Sequence, residues 1–373
     1  LYPNILYIVI KKNSKINIYQ YNPSLNLLHY LSSKNSDENV LKENTCYFVI
    51  TNYYWRNWLK YRYFGYRLMN VDTGYLLAEL FAVMINKNIK GNIHISDKYF
   101  KCMKNYIDND TGKESICAVV SAESKELLES LEMLNVESSY RLYNDWDTEN
   151  INLYRTIEEK ILNESFDINE SICCDKLGKL LKTTEWMTNR ISPGGAFIQN
   201  ICDIENEYLS NSLETLKSIL FPIYQLKEDI NVFIYINKIS GIKKGLYCID
   251  FNQKNNLRFI RHVDGELQYI LKKHNFNLSE IPALFFVSGN TKKYIEKYGI
   301  CGFKILQIKV GFVSHLITIA TAMNDCHTHP ILGFDSKKAE NLLKESNLLN
   351  LIAFSKAKST DRFIVKYRSE SDV

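Results

Sequence analysis

Lys297-Tyr298-Gly299-Ile300-Cys301-Gly302-Phe303-Lys304 restates, in altered form, the earlier stretch Lys60-Tyr61-Arg62-Tyr63-Phe64-Gly65-Tyr66-Arg67. Glycine recurs a little further on, at Gly74 and Gly311. The offset between the copies is constant at 237 residues (297 − 60, 302 − 65, 311 − 74). Each copy follows an apolar, strand-like run, Tyr47 to Thr51 and Leu284 to Ser288. Each leads into an apolar stretch that reads as a helix, Tyr75 to Ile85 and Phe312 to Ala322. A repeat of this length is a duplicated domain and not the unit of a solenoid. Function must therefore be read from two related halves and from what lies between them.

Outward from the motif, both copies run in the same order. In the first, Leu1-Tyr2-Pro3 precedes strand patterns at Leu6 to Ile10, Ile16 to Tyr21 and Leu27 to Leu31, with a turn at Asn22-Pro23-Ser24. In the second, Leu220-Phe221-Pro222 precedes Val232 to Ile236, Gly245 to Asp250 and Leu257 to Ile260. Each copy then closes on a helix and a strand, Ile116 to Val120 and Leu349 to Phe354. The expected division is 1–121 for the first copy, 122–171 for an acidic helical bridge and 172–373 for the second copy. The acidic segments Glu123 to Glu132 and Asp145 to Glu170 supply that bridge, and a helix is expected at Leu177 to Thr184. The chain starts at Leu1 already in a strand pattern, so the first repeat is expected to lack its own start. The fold class expected is α+β, with a mostly antiparallel sheet and packed helices in each copy.

Of the 373 residues, 46% are apolar and 25 are tyrosine, with a net charge of +4. The basic residues are scattered, and no block of them forms a nucleic-acid stripe. Nine cysteines, an odd number, include no C-x-x-C pair, and most sit in apolar runs, which fits a reducing cytoplasm. No signal peptide is visible, and no run reads as the roughly 18 apolar residues that span a bilayer.

Three segments could carry chemistry. Arg190-Ile191-Ser192-Pro193-Gly194-Gly195-Ala196 combines a fixed φ, two glycines that admit a ligand close to the backbone, and a guanidinium. His329-Pro330-Ile331-Leu332-Gly333-Phe334-Asp335 ends on a helix-capping aspartate before a helix at Lys337 to Glu345. Asp325-Cys326-His327-Thr328-His329 has ligand-like spacing, but no second cluster offers partners, and no metal is expected. The repeated Lys-Tyr pair could supply a proton donor or a base of lowered pKa, or it could be a structural pair inherited by both copies.

Taken in order, these segments resemble the nitroreductase-like FMN flavoproteins of the SagB/McbC type, the azoline dehydrogenases of thiazole and oxazole biosynthesis. The family runs Arg-x-Ser-Pro-Ser-Gly-Gly-Ala, Leu-Tyr-Pro, Gly-Leu-Tyr-x-Tyr-Asp, Lys-Tyr-Gly with a Tyr-Arg pair, Asp-x-Gly and Pro-Ile-x-Gly-Phe-Asp. The second copy offers Arg190 to Ala196, Leu220 to Pro222, Gly245 to Asp250, Lys297 to Gly299 and Pro330 to Asp335. The first offers Leu1 to Pro3, Lys60-Tyr61, Gly65-Tyr66-Arg67 and Asp72-Thr73-Gly74. The serine between Pro193 and Gly194 is absent, and no Arg-x-Ser-x-Arg stands in Tyr154 to Asp167.

The resemblance implies two tandem nitroreductase-like domains paired as an intrachain pseudo-dimer, which could assemble further. It implies FMN bound by Arg190, Ser192, Pro193, Gly194, Gly195, the backbone of Leu332 and Gly333, and Lys356 and Lys358. It places Lys297, Tyr298, Lys60 and Tyr61 near the substrate. The expected activity is FMN-dependent oxidation of azolines to azoles in a ribosomally made peptide, in the cytoplasm, with a precursor peptide and a cyclodehydratase as partners. No nucleic acid or membrane is expected to bind. Two alternatives stand beside it: a flavin-free scaffold or peptide-binding subunit of the same complex, and an NAD(P)H-dependent nitro or quinone reductase.

Overall fold

The computed structural model describes residues 3–35, 40–107, 113–132, 136–138, 152–163, 169–173, 204–220, 229–250, 256–272 and 277–356. The chain groups into two compact units, residues 1–182 with 290–315, and residues 183–289 with 316–373.

The sheet of the first unit uses β1 (Asn4–Lys12), β2 (Lys15–Asn22), β3 (Leu27–Asn35), β4 (Thr45–Tyr53), β5 (Lys90–Ser96), β6 (Glu114–Glu123), β7 (Val136–Ser138) and β8 (Asn169–Cys173). Their order is β7-β3-β2-β1-β4-β6-β5-β8, antiparallel except where β7 joins β3 in parallel. The second unit holds β9 (Ile230–Ile236), β10 (Gly245–Ile249), β11 (Leu257–Arg261), β12 (Ala283–Gly289), β13 (His327–Pro330) and β14 (Leu348–Ser355), in the order β11-β10-β9-β12-β14-β13. Leaving out the flanking β7 and β8, and numbered within each copy, both sheets read 3-2-1-4-6-5. The duplication seen in the motif is thus present in the strand topology. The α+β class and the antiparallel sheets are as expected.

Local chemistry explains several elements. Strand β2 alternates buried and open residues, the period of a sheet with one face on the core. The turn after it is set by Asn22, whose Oδ1 accepts from the N–H groups of Ser24 (3.0 Å) and Leu25 (3.3 Å). Central strands β12 and β14 are buried along their whole length. Leu284, Phe286, Leu351 and Ala353 from these strands pack with Ile331, Phe334 and Leu343 in one cluster. Each such large side chain contributes about 1.5–3 kcal/mol by leaving water.

The helices are α1 (Tyr54–Tyr61), α2 (Phe64–Asn86), α3 (Asp97–Ile107), α4 (Lys125–Glu132), α5 (Asn152–Asn163), α6 (Asn206–Leu220), α7 (Thr291–Ala322) and α8 (Ser336–Leu343). Here several expectations are corrected. The apolar helices expected from Tyr75 and Phe312 begin earlier, at Phe64 and just after the break at Tyr298-Gly299, so Gly65, Gly74, Gly302 and Gly311 lie inside helices. The helix expected to run to Glu345 stops at Leu343, because Lys344 turns left-handed at φ 50°. Strands β5, β7, β8 and β13 were not expected, and β7 and most of β8 fall within the 122–171 bridge that was expected to be helical. Strand β13 takes up His327 and His329, two residues of the Asp325 to His329 cluster whose spacing was weighed as ligand-like. Asp335 caps α8 as expected, accepting from Lys338 N–H at 3.1 Å.

The membrane reading also changes in its grounds. Two helices, α2 and α7, are long and apolar enough to cross a bilayer by composition. They are 67% and 100% buried over the relevant window, and a helix that is apolar all round is what a protein core requires.

Candidate functional site

The repeated motif lies in the first unit, where α2 and residues 291–315 of α7 meet. A Cβ on Gly74 would stand 2.1 Å from the Ile308 carbonyl oxygen, and a Cβ on Gly311 would stand 2.1 Å from that of Val71. Ile308 and Val71 are themselves related by the repeat (308 − 71 = 237). The contact is therefore reciprocal, as it is at a two-fold axis. Gly65 and Gly302 behave alike: a Cβ would press on the backbone oxygens of Asn57 (2.9 Å) and Tyr294 (2.0 Å) of the preceding helical segment. Tyr66 and its counterpart Phe303 stack on each other with ring centroids 6.4 Å apart. The glycines are there because two backbones touch.

Just before each second helical segment the chain breaks. Arg62 takes φ 50°, ψ −135°, and Gly299, its counterpart, takes φ 56°, ψ −142°. Glycine adopts this region freely, whereas a side chain there costs on the order of 1–3 kcal/mol. Tyr154, which donates to the Arg62 carbonyl, helps to hold the first break. The Lys-Tyr pairs immediately precede these breaks. Lys60 Nζ lies 5.0 Å from the Tyr61 ring centroid, and Lys297 Nζ lies 4.5 Å from that of Tyr298. The pair thus ends a short helical segment, where the expectation put it at the start of a buried one.

Around Tyr298 the second copy builds a charged cluster. The Tyr298 hydroxyl donates to Glu170 Oε1. Lys309 Nζ donates to Glu170 Oε2 and to Tyr294 Oη, both at 2.8 Å, and Lys297 Nζ stands 3.6 Å from Glu170 Oε1. Burial by itself would raise the Glu170 carboxyl, but Lys309, Tyr298 and Lys297 outweigh it and hold the group below its ordinary range. Burial, then the bond to Glu170, pushes the Tyr298 phenol up. Lys297 rises too, mainly through Tyr298, so a lysine base of lowered pKa does not fit this geometry.

A second carboxylate is buried nearby in sequence. Glu158 of α5 accepts from Lys304 Nζ (2.7 Å) and from Tyr66 Oη (2.8 Å), and the Lys304 and Glu158 side chains are 1% and 3% exposed. Lys304 also donates to the Ile116 carbonyl at 3.1 Å. Burial opposes the charge on Lys304, but Cys117 and Glu158 outweigh it and raise the ammonium. Beside this network, Tyr63, Phe64, Tyr66, Arg67, Ile157, Ile300 and Phe303 line a cavity of about 410 Å³. Sequence reasoning missed Glu158 and Glu170, because both lie in a run read as an acidic helical bridge. A signal did exist: Tyr154, Ile157, Glu158 and Ile161 share one helical face, so Glu158 sits within an apolar stripe.

The expected flavin residues are less fully placed. Arg190, Ser192, Pro193, Gly194, Gly195 and Lys358 lie outside the described residues. In the second unit, Leu332 and Gly333 form a loop fixed at both ends, by Ile331 N–H to Leu351 O (2.7 Å) and Asp335 N–H to Ile270 O (2.7 Å). A Cβ on Gly333 would meet nothing within 4 Å. A planar ring could lie against this backbone. Lys356, in contrast, sets its ammonium 3.6 Å from the Tyr208 ring centroid, and Tyr208 raises its pKa. Among the described residues no group of three His, Cys, Asp or Glu could hold a metal.

No protein-family model matches the chain, and no curated protein does. Among solved structures, a protein of Anabaena variabilis assigned to the nitroreductases is similar over 96% of this chain and 81% of its own, with a TM-score of 0.67 and 15% identity. A chain of the E. coli microcin synthetase McbBCD complex, solved with truncated pro-MccB17 bound, covers 43% of this chain and 68% of its own, with a TM-score of 0.36 and 12% identity. A nitroreductase family protein of Streptococcus pneumoniae covers 50% of this chain and 96% of its own, with a TM-score of 0.30 and 13% identity. The fold is nitroreductase-like, in two halves.

Proposed function

We propose that this chain of nitroreductase-like fold is an FMN-dependent dehydrogenase that oxidises azoline rings of a ribosomally made peptide to azoles. The observation that carries the reading is the Lys297-Tyr298 pair at the helix break, with its phenol bonded to Glu170. The fold and the ordered motif series support it. FMN, when bound, supplies the two-electron acceptor for the hydride that leaves the ring. The backbone of Leu332 and Gly333 would lie beside its ring system, with Arg190 to Gly195 and Lys358 as further contacts.

The chain's own residues handle the proton. Ring oxidation releases one proton for each hydride. Tyr298 Oη donates to Glu170, a hydrogen bond through which the released proton would be relayed, with Glu170 holding it only in passing because, against its burial, Lys309, Tyr298 and Lys297 keep its carboxyl below the ordinary range. Lys297 stands over the same ring and offers its ammonium to a peptide carbonyl. A precursor peptide and a cyclodehydratase are the proposed partners, and the cytoplasm the proposed compartment.

One observation favours a flavin-free scaffold: Lys356, expected to bind FMN, is engaged by Tyr208. A visible absorption spectrum with mass identification of the released chromophore decides between them. About one FMN per chain supports the dehydrogenase, and no flavin after excess FMN overturns it. Lys297→Ala with Tyr298→Phe is expected to keep the flavin and lose azoline oxidation by about 100-fold or more.

A further inference from the structure

We propose that Glu170 is the positioning residue of a single competent Lys-Tyr pair, Lys297-Tyr298, and that Lys60-Tyr61 keeps a structural role only. The kinetic consequence rests on the function proposed above, while the geometry stands without it.

The repeat places different groups around the two tyrosines. Glu170 from β8 and Lys297 and Tyr294 from α7 face Tyr298, and Lys309 of α7 stands behind them, bonded to Glu170 and Tyr294. Glu170 is gripped from both sides, by Tyr298 and Lys297 on one oxygen and by Lys309 on the other. Moving back by 237 residues turns Lys309 into Asp72 and Tyr294 into Asn57 (309 − 72, 294 − 57). Where the second copy has the cation that anchors the carboxylate, the first has a carboxylic acid. A carboxylate brought to Tyr61 as Glu170 is brought to Tyr298 would meet a like charge instead of a partner. The packing of the breaks also differs. Tyr298 is buried and Tyr61 half-buried. Gly299 takes its backbone conformation without a Cβ, whereas Arg62 is forced into it. The two pairs share a backbone position and a cation over a ring, but among the described residues only Tyr298 has a fixed acceptor for its phenolic proton.

The test uses the full chain labelled with ¹³C at the tyrosine ring carbon that bears the hydroxyl, followed by NMR over pH. Tyr298→Phe and Tyr61→Phe assign the two signals among the 25 tyrosines. In Glu170→Gln, the Tyr298 signal is expected to titrate at lower pH than in the unmodified chain, and the Tyr61 signal to stay in place. If Glu170→Gln does not fold, Glu170→Asp is read in the same titration, with the same direction expected. An unmoved Tyr298, or a Tyr61 that moves as much, overturns the inference. With flavin and an azoline peptide, Tyr298→Phe is expected to lower kcat by about 100-fold at unchanged KM. Tyr61→Phe is expected to stay within about twofold, and equal losses in the two variants overturn the inference. The NMR arm needs no flavin. A flavin-free protein that still shows the Glu170 effect sinks the proposed function alone. A flavoprotein without the effect sinks this inference alone.

Discussion

Asp72 shows how a single residue can work against the fold. Its carboxyl is pushed up to about 6 by burial, from an ordinary value of 3.8. The folded chain therefore binds this proton more tightly than the unfolded chain, and stability falls as pH rises from about 4 to about 6. Asp72→Asn removes that penalty. The variant is expected to melt higher than the unmodified chain at pH 7.5, and the gain should vanish near pH 3.5. Thermal melts across that range check it, and a gain that is flat with pH would refute the assignment. Glu170 has the opposite sign. Its folded-state value is depressed below its ordinary 4.5, so its pairing stabilises fully above that pH and is lost as pH falls through the depressed value. The Lys304-Glu158 pair is more demanding than either, because deleting one partner strands a charge among apolar atoms at a cost of about 3–5 kcal/mol.

Among the elements, the crossing of α2 with residues 291–315 of α7 has the least room. A methyl group at Gly74 would stand 2.1 Å from a carbonyl oxygen, which a flexible side chain could avoid but a backbone cannot. Gly74→Ala is expected to cost about 1–3 kcal/mol in urea denaturation, and Gly311→Ala a similar amount. The double variant is expected to cost less than the sum, because the first methyl already opens the contact that the second would strain. Additive losses would mean that the two glycines do not share one crossing. The same glycines mark what could be read from the sequence. Their spacing exposed the duplication, and alternation with turn residues located the strands from β1 to β4 and from β9 to β12. The helix starts were misread because glycine usually ends a helix, whereas here it is the only residue thin enough for the interior of one. Strands β5 and β8 went unseen because their apolar positions are few: in β8, Asn169-Glu170-Ser171 precede the first isoleucine. The acidic half of the site was invisible for a related reason, since charge in a run suggests solvent until its partner lysines are placed.

Taken as one molecule, the chain assembles its first unit from distant parts. Residues 290–315 supply Phe303, Lys304, Lys309 and Gly311 to a unit otherwise made of residues 1–182. A fragment ending at Lys182 would leave Glu158 without Lys304 and the Gly74 face of α2 without its cover. Expressed alone, residues 1–182 are expected to keep far-UV circular dichroism, lose near-UV signal, bind a hydrophobic dye and melt without a sharp transition. Co-expression with residues 290–373 is expected to restore the near-UV signal, and a cooperative melt of the fragment alone would contradict this account. The reciprocal crossing has one more consequence. In an assembly of two identical chains, every codon is read into both sides of the axis, so a lysine on one side brings a lysine on the other. Here each side has its own codon. Asp72 and Lys309 occupy twin places with opposite charge, while the glycines that touch across the axis remain glycines. The backbone has kept its symmetry, and heredity has been released from it wherever a side chain, rather than the main chain, makes the difference.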